Sequence, residues 1–506
     1  MTLRSLLDKG AGSAIALSAP ARQPLTYVQL RRHVDTIGRQ LAGQGLHASD
    51  RVAIVLPNGP EMASSFLAVA SYMSAAPLNP NYKRNEYEFY LSDLKPALVI
   101  VEQGSDNPVR QAAAALNIPV AEARVKPDMS AGEFLLFDEE ADITPASTEQ
   151  EALVLHTSGT TSRPKVVPLL QKNILASARN IAASLELRDH DHCLNIMPLF
   201  HIHGLIAVLI ASMGKGASVC CSAGFNALKF MELAALEQIS WYSGVPTMHQ
   251  AILLRAKRNP AQAQALSLRF IRSSSASLPP AVFEELVAVF GCPVIEAYGM
   301  TEAAHQMTSN PLGAGCQKAG FVGIATSPEV CILDADGETQ PQGKEGEVCI
   351  KGDNVTPGYE NNPEANASSF TGGWFRTGDQ GYFDAEGYLK ITGRLKEIIN
   401  RGGEKISPLE VDNVLMEHPA VLQVVTFAVA DKLLGEEIGA AIVLADGATL
   451  SEAELKAYAN QRLAKFKVPR HVRFVDEIPK GATGKLQRIG LAEKLDLSGA
   501  TQKKNS

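Results

Sequence analysis

The chain has 506 residues, 45% of them hydrophobic and 20% charged, and its 47 basic against 54 acidic side chains leave a net charge of −7. Such a length exceeds one hydrophobic core and corresponds to about three structural units. The acidic balance, with no basic stretch beyond Lys503-Lys504, excludes electrostatic capture of nucleic acid or of an anionic membrane, and no window approaches the ~18 uninterrupted apolar residues of a membrane span.

In chain order, Tyr27, Leu30, Val34, Ile37 and Leu41 recur at helical spacing, and Arg51-Val-Ala-Ile-Val-Leu56 reads as a buried strand closed by Pro57-Asn-Gly. A helix is predicted around Met62 to Ser74, followed by the proline-rich turn Ala75 to Tyr82, a helix ending near Ser92 and a strand from Ala97 to Val101. Residues 105–150 read as an irregular peripheral connection. An apolar strand then feeds the hydroxyl-rich run Thr157-Ser-Gly-Thr-Thr-Ser-Arg-Pro-Lys165, and after Pro168 a helix begins near Gln171. Asn195 to Gly204 opens another helix, with strands at Ser218 to Cys221 and Trp241 to Val245. The alternation predicts an α/β fold of helix-covered sheets.

From about Gly323 the texture changes to short strands with glycine turns, a β-barrel-like subdomain over 323–393. A smaller α+β unit follows over 394–506, with helices at Pro408 to His418 and Ser451 to Leu463 and strands at Val421 to Val429, Gly439 to Leu444 and Val472 to Phe474. The expected division is therefore 1–393 and 394–506. The seven cysteines show no C-x-x-C spacing, and Met1 to Lys9 lacks the apolar core of a secretory leader. Free thiols in a reducing cytoplasm are the expectation.

The hydroxyl run has the chemistry of a polyphosphate cradle. Thr157, Ser158, Thr160, Thr161 and Ser162 supply short donors, Gly159 lets the backbone approach, and Lys165 supplies charge. Pro164 and Val166 stand where a Walker loop needs glycine and a hydroxyl, which excludes a Walker-type NTPase.

Five further stretches accompany that loop: Tyr298-Gly-Met-Thr-Glu302, Gly373-Trp-Phe-Arg-Thr-Gly-Asp379, Gly393-Arg-Leu-Lys396, Arg401-Gly-Gly-Glu-Lys-Ile-Ser-Pro408 and Pro479-Lys-Gly-Ala-Thr-Gly-Lys485. With them the chain resembles the adenylate-forming superfamily of acyl-CoA synthetases, luciferases and peptide-synthetase adenylation domains across nearly its whole length. The resemblance implies a large N-terminal AMP-binding domain and a small mobile C-terminal one hinged at Lys396. It implies two half-reactions: a carboxylate attacks the α-phosphorus of Mg-ATP to give acyl-AMP and diphosphate, and the thiol of coenzyme A then displaces AMP.

On that resemblance the ATP and AMP contacts are Thr157, Ser158, Gly159, Thr160, Thr161, Lys165, Ser275, Ala297, Tyr298, Gly299, Met300, Thr301, Asp379, Arg394 and Lys485. Tyr298 would stack on adenine, Asp379 would accept the ribose hydroxyls with Arg394 beside it, and Glu302 would bind Mg²⁺. Thr160, His201, Glu302 and Lys485 would be catalytic, Lys485 bridging substrate carboxylate and α-phosphate, and Gly402 and Gly403 would line the path of coenzyme A. The chain departs from the family pattern in carrying Ser162 and Val166 where glycine is usual.

The phrases Pro198-Leu-Phe-His-Ile-His-Gly204, Arg269-Phe-Ile-Arg-Ser-Ser-Ser-Ala-Ser-Leu278 and Glu302-Ala-Ala-His305 resemble the oxalyl-CoA synthetase (oxalate–CoA ligase) branch. An acyl pocket of His201, Val245, Ser274, Ser275 and His305 follows, more polar than a long acyl chain needs. On a helix after Tyr298, His305 and Glu302 would face the same side, and His305 could bind a second carboxylate. His203 reads as structural. The rival readings are a medium-chain or aryl-acid CoA ligase and a non-catalytic AMP-binding protein; the latter would be expected to lack Lys485 or Glu302, and both are present. The expected partners are a small carboxylate, ATP and coenzyme A, with no nucleic acid or membrane, in a monomer or homodimer.

Overall fold

Strands buried on both faces read as unbroken apolar runs rather than alternating ones, and two sheets of this kind organise the N-terminal part of the computed structural model, which describes residues 1–157, 164–481 and 484–497. The six-stranded sheet runs in the order Val120–Ala123, Leu98–Glu102, Arg51–Val55, Ser74–Pro77, Glu151–His156, Val166–Leu170, parallel except for its last pair. The nine-stranded sheet has at its centre the parallel strands Val294–Met300, Phe270–Ser273, Trp241–Gly244, His192–Asn195, Ser218–Cys221 and Ile15–Ser18.

Helix Pro60–Tyr72 packs against strands of both sheets. Its sequence explains this position: every residue except Glu61 is buried, so the helix is apolar all round and has no face for water. Proline opens it at the first turn, where the missing N–H costs nothing. Helix Gln171–Ser184 lies in the same layer, touching strands of both sheets.

Three expectations are corrected. Residues 105–150 contain helix Val109–Ala115 and strand Val120–Ala123; the helix is built largely of alanine, whose weak hydrophobicity hides the period. The hydroxyl run does not lead from a strand into a helix. It joins Glu151–His156 to an antiparallel partner, Val166–Leu170, a strand absent from the sequence reading, and the helix then starts at Gln171 as expected. Pro168 misleads, but this is an edge strand, where a residue without an N–H is tolerated. After Tyr298 there is no helix either: the strand continues to Met300, a single 3₁₀ turn spans Thr301–Ala303, and His305–Ser309 returns antiparallel.

Strands Glu329–Leu333, Gly346–Lys351, Phe370–Thr371, Trp374–Phe383 and Leu389–Arg394 form a five-stranded antiparallel sheet. Beyond it Ile399–Arg401, Glu404–Ile406, Val421–Asp431, Gly435–Leu444 and His471–Phe474 make a fourth sheet. Helix Pro408–Met416 packs on this sheet, and with helix Glu452–Asn460 it shares an apolar cluster that includes Ile399, Val411, Leu415, Ile438 and Leu455. Side-chain caps at Ser407 and Ser451 start these helices. The tail after Ile478 packs Leu491 and Leu497 on Val425, Phe427 and Val429.

Polar contacts join this C-terminal body to helix Pro246–Arg258 of the large sheet. Thr247 Oγ1 donates to the carbonyl of Gly484 (2.8 Å), Gln250 to that of Leu422 (3.3 Å), and Arg258 meets Asp446 at 3.4 Å. Among the described residues no helix is long and apolar enough to cross a membrane.

Candidate active site

In open parallel sheets the space beyond the carboxyl ends of the strands is left for ligands, and the motif residues collect there. The turn Thr377-Gly378-Asp379 interrupts a long strand with Gly378 at φ +74°, a conformation glycine takes without strain. Thr377 Oγ1 accepts from the Asp379 N–H (3.1 Å) and Glu347 accepts from that of Gly378 (3.0 Å), which aims the Asp379 carboxylate. Asp379 and Arg394 are a direct cross-strand pair, with Arg394 Nε donating to Oδ1 at 2.8 Å. The Tyr298 hydroxyl donates to Oδ2 at 2.5 Å. Asp379 holds the Arg394 guanidinium well above its ordinary range, and burial together with Asp379 raises the Tyr298 phenol.

Glu302 sits beside this pair, almost buried, on the 3₁₀ turn. Its Oε1 accepts the Tyr359 hydroxyl at 2.7 Å, and its carbonyl accepts the Thr356 N–H. Burial pushes the carboxyl up, while the Tyr359 hydrogen bond, Arg394 and Lys165 oppose the rise. The Lys165 ammonium lies 4.1 Å over the Tyr359 ring. Burial and the nearby Lys396 lower Lys165, and Glu302 acts against them.

Thr157 closes the base of the hydroxyl loop. Its N–H donates to the Lys165 carbonyl (2.9 Å), and its Oγ1 accepts the Lys165 N–H (3.0 Å), so this hydroxyl serves the hairpin. Ser158, Gly159, Thr160, Thr161 and Ser162 lie outside the described residues. Gly299 is a steric requirement: a Cβ there would fall 1.8 Å from the His305 carbonyl oxygen. Ala297 accepts the Ser274 hydroxyl at 2.7 Å, and Met300 pairs with His305 across the strands.

Lys485 enters from the C-terminal body. The preceding Gly484, at φ +81°, is seated against Val245, Thr247 and Met248. Burial and the neighbouring Arg394 push the Lys485 ammonium down to about 8, while Asp379 and Glu302 raise it. The same ammonium lowers His201, His203 and His305. It is therefore coupled electrostatically both to the Asp379–Glu302 group and to a histidine cluster. Gly402 and Gly403 make the turn between Ile399–Arg401 and Glu404–Ile406. Among the described residues this turn contacts Leu434, not the Asp379–Glu302–Lys485 group. Lys396 follows Arg394 and is exposed.

The histidine cluster differs from the sequence expectation. His305 is not one helical turn from Glu302; it begins a strand at φ +104° and is 1% exposed, with its ring 4.9 Å from that of His203. Ser275, also at positive φ (+74°), meets His203 Nδ1 at 3.0 Å, so His203 belongs to this cluster. His201 Nδ1 accepts the His203 N–H, and burial drives its imidazole down to about 3, hence neutral.

Two residues were missed. Tyr359 gives no sequence signal, being one tyrosine after a glycine. Arg272 gives one: a charged residue in the apolar strand Phe270-Ile-Arg-Ser273, at the centre of a parallel sheet. It is fully buried, and burial lowers its guanidinium to about 9.

A family model described as AMP-binding enzyme matches residues 8–360, and one described as AMP-binding enzyme C-terminal domain matches 410–485. The chain is 45% identical over 491 residues to an oxalate–CoA ligase of Arabidopsis thaliana, covering 94% of this chain and 95% of the relative. It is 43% identical over 473 residues to an oxalate–CoA ligase of Saccharomyces cerevisiae, covering 88% and 86%. The crystal structure of ATP-bound MatB from Rhodopseudomonas palustris matches with a TM-score of 0.90 at 27% identity, covering 99% of this chain and all of that one.

Proposed function

The chain belongs to the AMP-binding enzyme family, and from that membership we propose an AMP-forming carboxylate–CoA ligase whose acid is oxalate. The reaction is oxalate, ATP and coenzyme A to oxalyl-CoA, AMP and diphosphate. The observation that supports it is the electrostatic coupling of one C-terminal lysine, Lys485, to Asp379, Arg394 and Glu302. The two relatives at 43 and 45% identity support the acid, as does the polar cluster of His201, His203, His305 and Ser275.

In the first half-reaction an oxygen of the acid attacks the α-phosphorus and diphosphate leaves. Negative charge builds on the phosphoryl oxygens, and the partly buried Lys485 ammonium is the group that stabilises it. Asp379, aimed by Thr377 and Glu347, takes the ribose diol, with Arg394 and Tyr298 fixing the orientation of its carboxylate. Lys165 and the hydroxyl-rich run that follows Thr157 hold the departing phosphates. Glu302 suits Mg²⁺: a hard cation wants carboxylate oxygen, and Tyr359 fixes one of its two oxygens. The metal would supply charge neutralisation on the phosphates.

In the second half-reaction the thiol sulfur attacks the acyl carbon and AMP leaves. The C-terminal body turns about Lys396 for this step, withdrawing Lys485 and bringing Gly402 and Gly403 to the path of pantetheine. Seven free thiols, five of them buried, favour a reducing cytoplasm. AMP release with coenzyme A, measured across oxalate, malonate, acetate, octanoate and 4-coumarate, tests the proposal. Oxalate is expected to lead; a preference for octanoate or 4-coumarate overturns the acid, and no AMP from any acid overturns the activity.

A further inference from the structure

A buried guanidinium is ordinarily balanced by a carboxylate, because several kcal/mol are otherwise forfeited in taking it out of water. Arg272 has no such balance among the described residues. Its four close partners are all neutral: Ser243 Oγ and His203 Nε2 at 3.3 Å from Nη1, Gln306 Oε1 at 2.9 Å and His305 Nδ1 at 3.5 Å from Nη2. Among the described residues its Nε–H has no acceptor either.

The tautomers extend the pattern. Since His305 accepts from Arg272 at Nδ1, its proton is on Nε2, and that buried donor is also unpartnered. His203 accepts at Nε2, which places its proton on Nδ1 toward Ser275 and leaves the Ser275 hydroxyl proton free for another acceptor. The cluster thus holds one uncompensated positive charge and an excess of donors. Two of its members, Ser275 and His305, are kept at strained positive φ, a strain that a structure retains where geometry serves a site. Asp191, just before strand His192–Asn195, is engaged by Arg269 and Ser240 instead, and Glu296, on the adjoining strand Val294–Met300, stands opposite Ser273 rather than Arg272 and accepts the Leu278 N–H.

Resting on the carboxylate–CoA ligase reading, we propose that Arg272 is the specificity-determining residue. Its guanidinium, with the His305 Nε2–H beside it, binds the second carboxylate of a short dicarboxylate whose first carboxylate faces Lys485. Ser243 and Gln306 are positioning residues that hold the guanidinium fork. The pocket then selects for a distal anion, and an acid of the same size without one leaves the charge unbalanced.

The test compares kcat/KM for AMP formation with oxalate and with acetate in wild type, Arg272→Met and Arg272→Lys, alongside ATP affinity and Tm with and without oxalate. A site built around a polar group rejects the ligand lacking it by about 10⁴-fold, so Arg272→Met is expected to lose about that factor on oxalate. It should hold or gain on acetate, keep ATP affinity, and no longer be stabilised by oxalate. Arg272→Lys keeps the charge without the fork and is expected to fall between; it also guards against a Met variant that does not fold. Equal loss on both acids, or undiminished oxalate turnover in a folded variant, overturns the assignment. Wild-type protein that turns over acetate or octanoate but no dicarboxylate overturns the oxalate reading as well, which separates the two failures.

Discussion

Removing the Lys485 ammonium tests the two-body site most directly, because its cost to folding and its value to chemistry have opposite signs. Burial lowers the group from 10.5 to about 8, and at about 1.4 kcal/mol per unit keeping it charged at pH 7 costs the closed arrangement at most about 3 kcal/mol. A lowered lysine pKa means that the unfolded chain holds the proton more tightly, so the cost is felt below about pH 8 and fades as pH rises toward 10.5. Lys485→Met is therefore expected to keep or slightly raise Tm at pH 7. The same substitution removes a preorganised charge from the adenylation transition state, where one such donor contributes a factor of about 10²–10³. Diphosphate exchange into ATP should fall by about 10³-fold, while transfer from preformed acyl-AMP to coenzyme A proceeds near the wild-type rate. In the wild type, kcat/KM for adenylation should decline as pH passes about 8 and the free ammonium is lost. Exchange at the wild-type rate in the variant, or equal loss of both half-reactions, refutes the assignment.

Three further expectations follow from the geometry. Gly299→Ala places a methyl 1.8 Å from the His305 carbonyl; the strands must part, and a loss of more than about 3 kcal/mol by denaturant titration is expected, together with weakened ATP binding. Tyr359→Phe removes the hydrogen bond on Glu302 Oε1, so the carboxyl should rise further and the Mg²⁺ concentration for half-maximal activity should increase about tenfold, a factor that about 1.4 kcal/mol supplies. Glu296 is 1% exposed, accepts the Leu278 N–H on one oxygen, leaves the other unpartnered, and is pushed up to about 8 by burial. A raised carboxyl binds more protons folded than unfolded, so stability should fall as pH climbs from about 4.5 to 8; Glu296→Gln should flatten that decline in a Tm-versus-pH series.

Much of the site was legible in the sequence because its motifs are contiguous phrases. Tyr298, Glu302, Asp379, Arg394 and Lys485, spread over nearly two hundred positions, meet in space. What stayed hidden depends on pairings between strands. The Asp379–Arg394 contact is set by the register of two strands, and His305 reaches Arg272 because the chain reverses after Met300 instead of winding into a helix. Pro168 drew no strand in one dimension, and its place at a sheet edge is what lets it be a strand residue. Arg272 was visible as a charge in an apolar strand, but its significance lies in the lack of a carboxylate around it, which no local pattern records.

Among the described residues, the polar contacts between helix Pro246–Arg258 and the C-terminal body are a hydroxyl on a carbonyl, an amide on a carbonyl and an exposed ion pair. Each is worth about 1 kcal/mol or less, and water can replace any of them on release. A seam of that kind latches lightly: on the proposed two-step reading it would locate Lys485 during the first chemical step, yet leave no deep well from which the body must climb before the second. Tightening it with apolar contacts would be expected to slow turnover even as it stabilised the protein.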